Sequence, residues 1–307
     1  MIITDVLPYT DPMNDCFISR DFINDESTAT ITDYGAHVLE WTPAGQPGVL
    51  WHPKAVYFSK GTAIRGGIPV IFPWFNSGFA DGHVAAKKPK HGFGRISFWH
   101  YDEPASTDSF ARYTLDSADA DPDWLATLSG SAERPAAFHA VYEVRCGAEF
   151  QASLTITNDG DEPFTYESAL HTYLNIGDIE HVQVAGLEGA KFLDTTLDND
   201  PECTQPDEPI TFDGSMVDRI YFAGGESGHD TVHVIDEQLG RTIVVDKSGS
   251  KNTVVWNPGE AAGNGIGDMA AGEWRGFVCV EAANCRTNAT TLAPGESATL
   301  SQTLRGE

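Results

Sequence analysis

Apolar and polar residues alternate one for one over several stretches of this 307-residue chain, and that period of two limits the possible folds more than any other feature. Phe150, Ala152, Leu154 and Ile156 are separated by Gln151, Ser153 and Thr155, and the run stops at Asn158-Asp159-Gly160-Asp161. Such a run is a half-buried strand, and Asn-Asp-Gly-Asp is turn chemistry. Phe138, Ala140, Tyr142 and Val144 alternate just before it, with Cys146-Gly147-Ala148-Glu149 as the hairpin connection. Ile243 to Val245 and Thr253 to Trp256 flank a turn at Lys247-Ser248-Gly249-Ser250-Lys251, and Ala298, Leu300, Gln302 and Leu304 form a last alternating run. The best helical signal is two turns at Pro122-Asp123-Trp124-Leu125-Ala126-Thr127-Leu128. A parallel α/β sheet needs a helix between successive strands, whereas 30 Gly and 17 Pro here punctuate short strands. The expected fold is all-β, a large antiparallel β-sandwich. No low-complexity linker or fixed-period repeat divides it, so residues 1–307 are expected to form a single domain.

Charge narrows the function. Forty-five acidic residues against 19 basic ones give a formal charge of −26. Neutralising nucleic-acid phosphates needs a cationic face, so no nucleic-acid partner is expected, and an anionic membrane surface is equally disfavoured. The charge is uneven, however. Residues 54–95 hold seven cations (Lys54, Lys60, Arg65, Lys87, Lys88, Lys90 and Arg95) against Asp81 alone, a net of +6 that leaves −32 on the rest. That segment is either an anion site or a surface counter-charged against the protein's own acids. The five cysteines, Cys16, Cys146, Cys203, Cys279 and Cys285, have neither disulfide-framework nor metal-finger spacing. Scattered thiols fit a reducing compartment. Residues 1–15 lack a basic start with an apolar stretch behind it, and no later apolar run is long enough to span a bilayer. We expect a cytoplasmic monomer.

Four blocks carry chemistry-bearing residues. Arg65-Gly66-Gly67-Ile68-Pro69, followed by Phe72-Pro73-Trp74-Phe75, is poor material for a central strand or a helix. It reads as an irregular loop in which Arg65 presents a planar fork of donors to a phosphate or carboxylate, or is simply solvated or paired with an acid. Lys90-His91-Gly92-Phe93-Gly94-Arg95 sets a histidine and an arginine around two glycines. Glu167-Ser168-Ala169-Leu170-His171-Thr172-Tyr173-Leu174 reads as a strand with His171 on the side of Glu167, Ala169 and Tyr173. Phe277-Val278-Cys279-Val280-Glu281 is an apolar strand whose carboxylate shares a face with Phe277 and Cys279, costly to bury unless paired or functional.

Together with Gly35-Ala36-His37-Val38, Val49-Leu50-Trp51, Gly186-Leu187, Asp218-Arg219-Ile220-Tyr221 and Val255-Trp256-Asn257-Pro258, these blocks resemble, in order and over most of the chain, the aldose 1-epimerase superfamily. The resemblance is strongest to its hexose-6-phosphate branch, the glucose-6-phosphate 1-epimerases. It implies a large antiparallel β-sandwich and interconversion of the α and β anomers of a hexose 6-phosphate without metal or organic cofactor. It further implies that Glu281 is the base and His171 the acid, that His91 and Asp218 contact sugar oxygens, and that Arg65 and Arg95 hold the phosphate. Both arginines fall in the +6 segment, which favours its reading as an anion site. Three positions depart from the family pattern: Asn76 replaces a usual glycine, Gly94 a usual alanine, and Lys90 a usual neutral residue. Lys90 is left outside the expected site, and Lys87 and Lys88 are expected to be exposed. Tyr173, Trp74 and Trp256 each suit stacking on a sugar face or packing in the core. The rival readings are the same chemistry on an unphosphorylated aldose, and a noncatalytic sugar-phosphate-binding protein on the same scaffold.

Overall fold

The alternating runs become the strands of a nine-stranded antiparallel sheet. The computed structural model describes residues 17–225 and 227–307, so Cys16 and the segment 1–15 lie outside the described residues. From one edge to the other, the sheet runs Ile210–Thr211, Val182–Ala185, Asp230–Asp236, Arg241–Ser248, Ser297–Gly306, Phe150–Asn158, Phe138–Cys146, Phe110–Asp116 and His100–Tyr101. The expected hairpin is present, with Phe150 paired to Cys146 and Leu154 to Tyr142. Its turn also forms, because the Asn158 side chain accepts a hydrogen bond from the Gly160 amide. Every second residue of these strands points into the core, as the period of two demands, and Ala140, Tyr142, Val144, Ala152 and Leu154 are buried there.

The second sheet has eight strands and is buried on both sides at its centre. Its order is Glu202–Thr204, Lys191–Asp194, Val217–Tyr221, Asn252–Asn257, Phe277–Asn284, Ser168–Leu170 and Val70–Ile71, with Tyr173–Asn175 also paired to Phe277–Asn284. All eight residues of Phe277–Asn284 are buried. Val278, Val280 and Ala282 join the large core shared with the first sheet, whereas Phe277 and Cys279 pack with Trp51 and Tyr173, and Ala283 with Ile71, Phe75 and Val254. The outer face of this sheet is therefore covered by loops, and the chemistry collects there. A three-stranded sheet, Ser19–Ile23, Ser27–Thr32 and His37–Pro43, flanks the sandwich. The antiparallel β-sandwich read from the alternation is the observed fold.

The predicted helix forms at Pro122–Ser129. The Asp121 side chain caps it by accepting from the Asp123 amide, Pro122 occupies the first turn, and Gly130 ends it at φ 72°. Among the described residues, no helix is long and apolar enough to cross a membrane.

One local expectation needs correction. The run from Glu167 to Leu174 is not one strand: it divides into Ser168–Leu170 and Tyr173–Asn175, with His171 and Thr172 between them. At the break the His171 amide donates to the Pro69 carbonyl at 3.1 Å, and the Thr172 amide turns back to the Leu170 carbonyl at 2.9 Å. The turn expected at Lys247 to Lys251 forms between Arg241–Ser248 and Asn252–Asn257. Arg241–Ser248 lies in the nine-stranded sheet and Asn252–Asn257 in the eight-stranded one, so the turn carries the chain across the sandwich.

Candidate active site

Register brings the two central residues together. Leu170 pairs with Ala282 and Tyr173 with Cys279, so the same alignment sets His171 across from Glu281 despite 110 residues of separation. Side chains directly opposite on antiparallel strands share a face and lie within contact distance. The rows continue through the neighbouring strands: Glu281 pairs with Val254, Cys279 with Trp256, and Trp256 with Asp218. Two adjacent rows of cross-strand neighbours thus form the floor of a pocket of about 180 Å³.

Loops supply its walls. The Gly67 carbonyl accepts from the Tyr173 amide at 2.9 Å and the Pro69 carbonyl from the His171 amide, which fixes residues 65–69 along the break in the strand. Both glycines are needed. Gly66 has φ 87° and Gly67 φ 57°, and a Cβ on Gly67 would stand 2.0 Å from the Val38 carbonyl oxygen. Arg65 is left at the mouth, where Nη1 donates to the Tyr173 hydroxyl at 3.1 Å and Nε reaches the Asp268 carboxylate at 3.2 Å. The second wall is residues 90–95. The His91 amide donates to the Asn76 carbonyl at 2.6 Å, and Gly92, at φ 71°, passes where a Cβ would meet the Phe72 carbonyl oxygen at 2.1 Å. Asn76 itself sits at φ 52°. The family's usual glycine is replaced there by a residue that tolerates the left-handed region well.

All six expected site residues, Arg65, His91, Arg95, His171, Asp218 and Glu281, line this one pocket. Phe75, Asn76, Lys90, Tyr173, Val254 and Trp256 complete it. Lys90, excluded at the sequence level, therefore belongs to the lining; its signal was its position before His91. Of the three candidate aromatic platforms, Tyr173 and Trp256 face the pocket, while Trp74 is wholly buried and donates its indole N–H to the Pro89 carbonyl at 2.7 Å. Glu167, on the same side as His171, accepts from the amides of Phe75, Phe79 and Arg286 and is a scaffold residue.

His171 Nδ1 stands 3.4 Å from Glu281 Oε1, close enough for charge interaction but without hydrogen-bond alignment. Glu281 is 1% exposed and its Oε2 has no partner. Burial pushes its carboxyl well above the usual range, and the neighbouring Asp218 adds to this, while Arg95 opposes it. Burial pushes the His171 imidazole well below its usual value, helped by Arg95 and then Arg65. The ring is held against Tyr173 at 4.9 Å and 10°, with Trp256 edge-on at 5.8 Å. His91 is likewise driven to its neutral form, first by burial and then by Arg95. Its Nδ1 accepts from the Asn76 amide at 3.2 Å, which leaves the proton on Nε2. Burial and the nearby Arg65 lower Arg95 to about 10. Its Nη2 donates to the Lys90 carbonyl at 2.9 Å, its Nε is buried without a partner, and among the described residues no acid lies within ion-pair distance.

A sandwich of this topology has known counterparts. The sequence profile described as aldose 1-epimerase matches residues 21–305. The chain belongs to the aldose 1-epimerase family. It is 36% identical over 256 residues to the protein named "Putative glucose-6-phosphate 1-epimerase" of Escherichia coli (strain K12), covering 81% of this chain and 77% of that one. A protein of the same name from Cenchrus ciliaris is 31% identical over 280 residues, covering 87% and 78%. The crystal structure titled as a putative mutarotase from Salmonella typhimurium superposes with a TM-score of 0.78 at 29% identity, covering 94% of this chain and 90% of that one. Galactose 1-epimerase from Lactobacillus acidophilus NCFM, at 15% identity and a TM-score of 0.69, shares the fold. In this member of the family, His171 and Glu281 stand 3.4 Å apart on the floor of a pocket of about 180 Å³.

Proposed function

We propose that this family member interconverts the α and β anomers of a hexose 6-phosphate, with D-glucose 6-phosphate as the leading substrate. The observation that carries the reading is the position of Arg65 and Arg95 in the same pocket as His171 and Glu281. A neutral aldose offers two guanidinium groups no anion, whereas a phosphate suits their donors. The names of the two curated relatives agree with this substrate.

The chemistry needs one proton removed and one delivered. Glu281 as carboxylate takes the proton of the anomeric hydroxyl while His171 as imidazolium protonates the ring oxygen. The C1–O5 bond breaks and O1 becomes the aldehyde oxygen. Rotation about C1–C2 presents the other carbonyl face, and the two transfers run backwards as the ring closes. His91 through Nε2–H and Asp218 through its carboxyl group hold the sugar hydroxyls. Positioned proton transfer of this kind contributes about 10²–10⁴ in rate.

Anomer exchange followed by NMR on glucose 6-phosphate, mannose 6-phosphate, glucose and galactose tests the assignment. Catalysis is expected to be much faster on a phosphorylated sugar than on the free ones, and Arg65→Ala to reduce kcat/KM for the phosphorylated sugar far more than for glucose. Equal losses on both would exclude the phosphate role of Arg65 and favour an unphosphorylated aldose.

A further inference from the structure

Tyr173 lines the pocket, yet its ring is already occupied. It stacks on His171 at 4.9 Å and 10° and on Trp51 at 5.9 Å and 21°. Phe277 lies 5.1 Å away at 52° and Trp256 6.0 Å away at 82°. These four rings fix the direction of the phenol and leave the residue 3% exposed, so it is not a free platform for a sugar. What it has to offer a substrate is its hydroxyl group.

That hydroxyl has an uncommitted proton. Its oxygen accepts from Arg65 Nη1 at 3.1 Å, and a guanidinium carries donors only, so the phenol cannot donate back to it. Among the described residues nothing accepts the phenol's own proton. The proton is also firmly held, because burial pushes the phenol up to about 12 in spite of the neighbouring Arg65. Arg65 is arranged in a similar way. Its Nε is shared between Oδ1 and Oδ2 of Asp268, both at 3.2 Å, and one Nη1 hydrogen goes to Tyr173. The second Nη1 hydrogen and both Nη2 hydrogens have no protein acceptor among the described residues. A cationic donor group and a neutral one, held 3.1 Å apart, are thus both left with hydrogens to give at the same wall of the pocket.

We propose that the Tyr173 hydroxyl is a ligand of the substrate's phosphate, donating to one phosphate oxygen while Arg65 donates to another, and that it thereby determines preference for the phosphorylated sugar. This rests on the phosphate reading above. A phosphate presents three acceptor oxygens, enough for both groups at once. A neutral sugar hydroxyl at the same place gains less, since a hydrogen bond to an ionised acceptor is roughly twice as strong.

Tyr173→Phe removes the hydroxyl group and keeps the ring beside His171. Anomer exchange of glucose 6-phosphate and of glucose is measured by NMR in the parent, in Tyr173→Phe and in Arg65→Ala, with sulfate as a competing dianion. Any disturbance of His171 weighs on both sugars and cancels in the ratio of their kcat/KM values. In Tyr173→Phe that ratio is expected to fall by about tenfold or more, as for loss of one hydrogen bond to a charged group, and the inhibition constant of sulfate to rise by a similar factor. If the ratio falls in Arg65→Ala but keeps its parental value in Tyr173→Phe, the phenol is not a phosphate ligand while the phosphate reading stands. A sulfate constant unmoved by loss of the hydroxyl group overturns the assignment as well. If the ratio is parental in both variants, the phenol's role and the phosphate reading fall together.

Discussion

Glu281 has a conflict built into it: it is buried beside another carboxyl group, yet the proposed chemistry requires its ionisation. Its folded-state affinity for a proton exceeds that in the unfolded chain. For a group shifted in that direction, the stabilising contribution is complete below the unfolded carboxyl value and is lost as pH rises through the folded one. Glu281→Gln keeps the shape and removes the ionisation. The variant is expected to be more stable than the parent at pH 8, by a margin that shrinks on acidification, and to lose about 10²–10⁴ in anomer exchange. Thermal unfolding at several pH values, beside NMR exchange, measures both; a variant less stable than the parent at pH 8 would contradict the account. Such a site gains function at the expense of stability. At this scale the sequence was informative where motifs carried residues in order, and all six site residues converge. It was silent on the charge states, which depend on burial and on neighbours such as Asp218 and Arg95, 63 and 186 residues from Glu281 in the chain.

Among the elements, the alternating strands and the helix were legible because their signals are local: a period of two, an Asp-Pro start, a glycine stop. The break at His171 was not, since the segment alternates normally and only the carbonyls of Gly67 and Pro69 reveal why its pairing is interrupted. The turn after Lys247 was read correctly as a turn, but membership of one sheet or the other is decided by the core. That crossover carries a buried lysine: Lys247 has no exposed side-chain area, donates to Thr253 Oγ1 of the opposing sheet at 2.6 Å, and pairs with Asp230. Removing one partner of a buried pair leaves a charge uncompensated, whereas replacing both with apolar residues is often tolerated. Asp230→Ala is therefore expected to lower the unfolding free energy by about 3–5 kcal/mol, and the Lys247→Met, Asp230→Leu double variant by much less. Urea unfolding of the two gives the comparison, and equal losses would refute it.

For the whole molecule, the −26 charge and the cationic segment are parts of one arrangement. Arg65 pairs with one of the protein's own acids, Asp268, so the segment is in part counter-charged against the protein itself, while Arg95, without such a partner among the described residues, is the part that fits the proposed anion site. The remaining acids repel one another across the surface. Raising salt from about 0.05 M to about 1 M shortens the screening length severalfold and should raise Tm. Scanning calorimetry across that range checks this, and a falling Tm would show that the attractive ion pairs outweigh the repulsion. The sandwich also has a tie behind the pocket. Thr172, next to His171, points inward, and its hydroxyl is hydrogen-bonded to the Gln302 side chain of the nine-stranded sheet at 2.9 Å in the core. The residue beside the candidate acid is thus anchored to the far layer, and the His171 amide is closed onto Pro69. Because its neighbour is tied to the far layer, the His171 amide should exchange more slowly than amides of the pocket-wall loops, and hydrogen–deuterium exchange measures the difference.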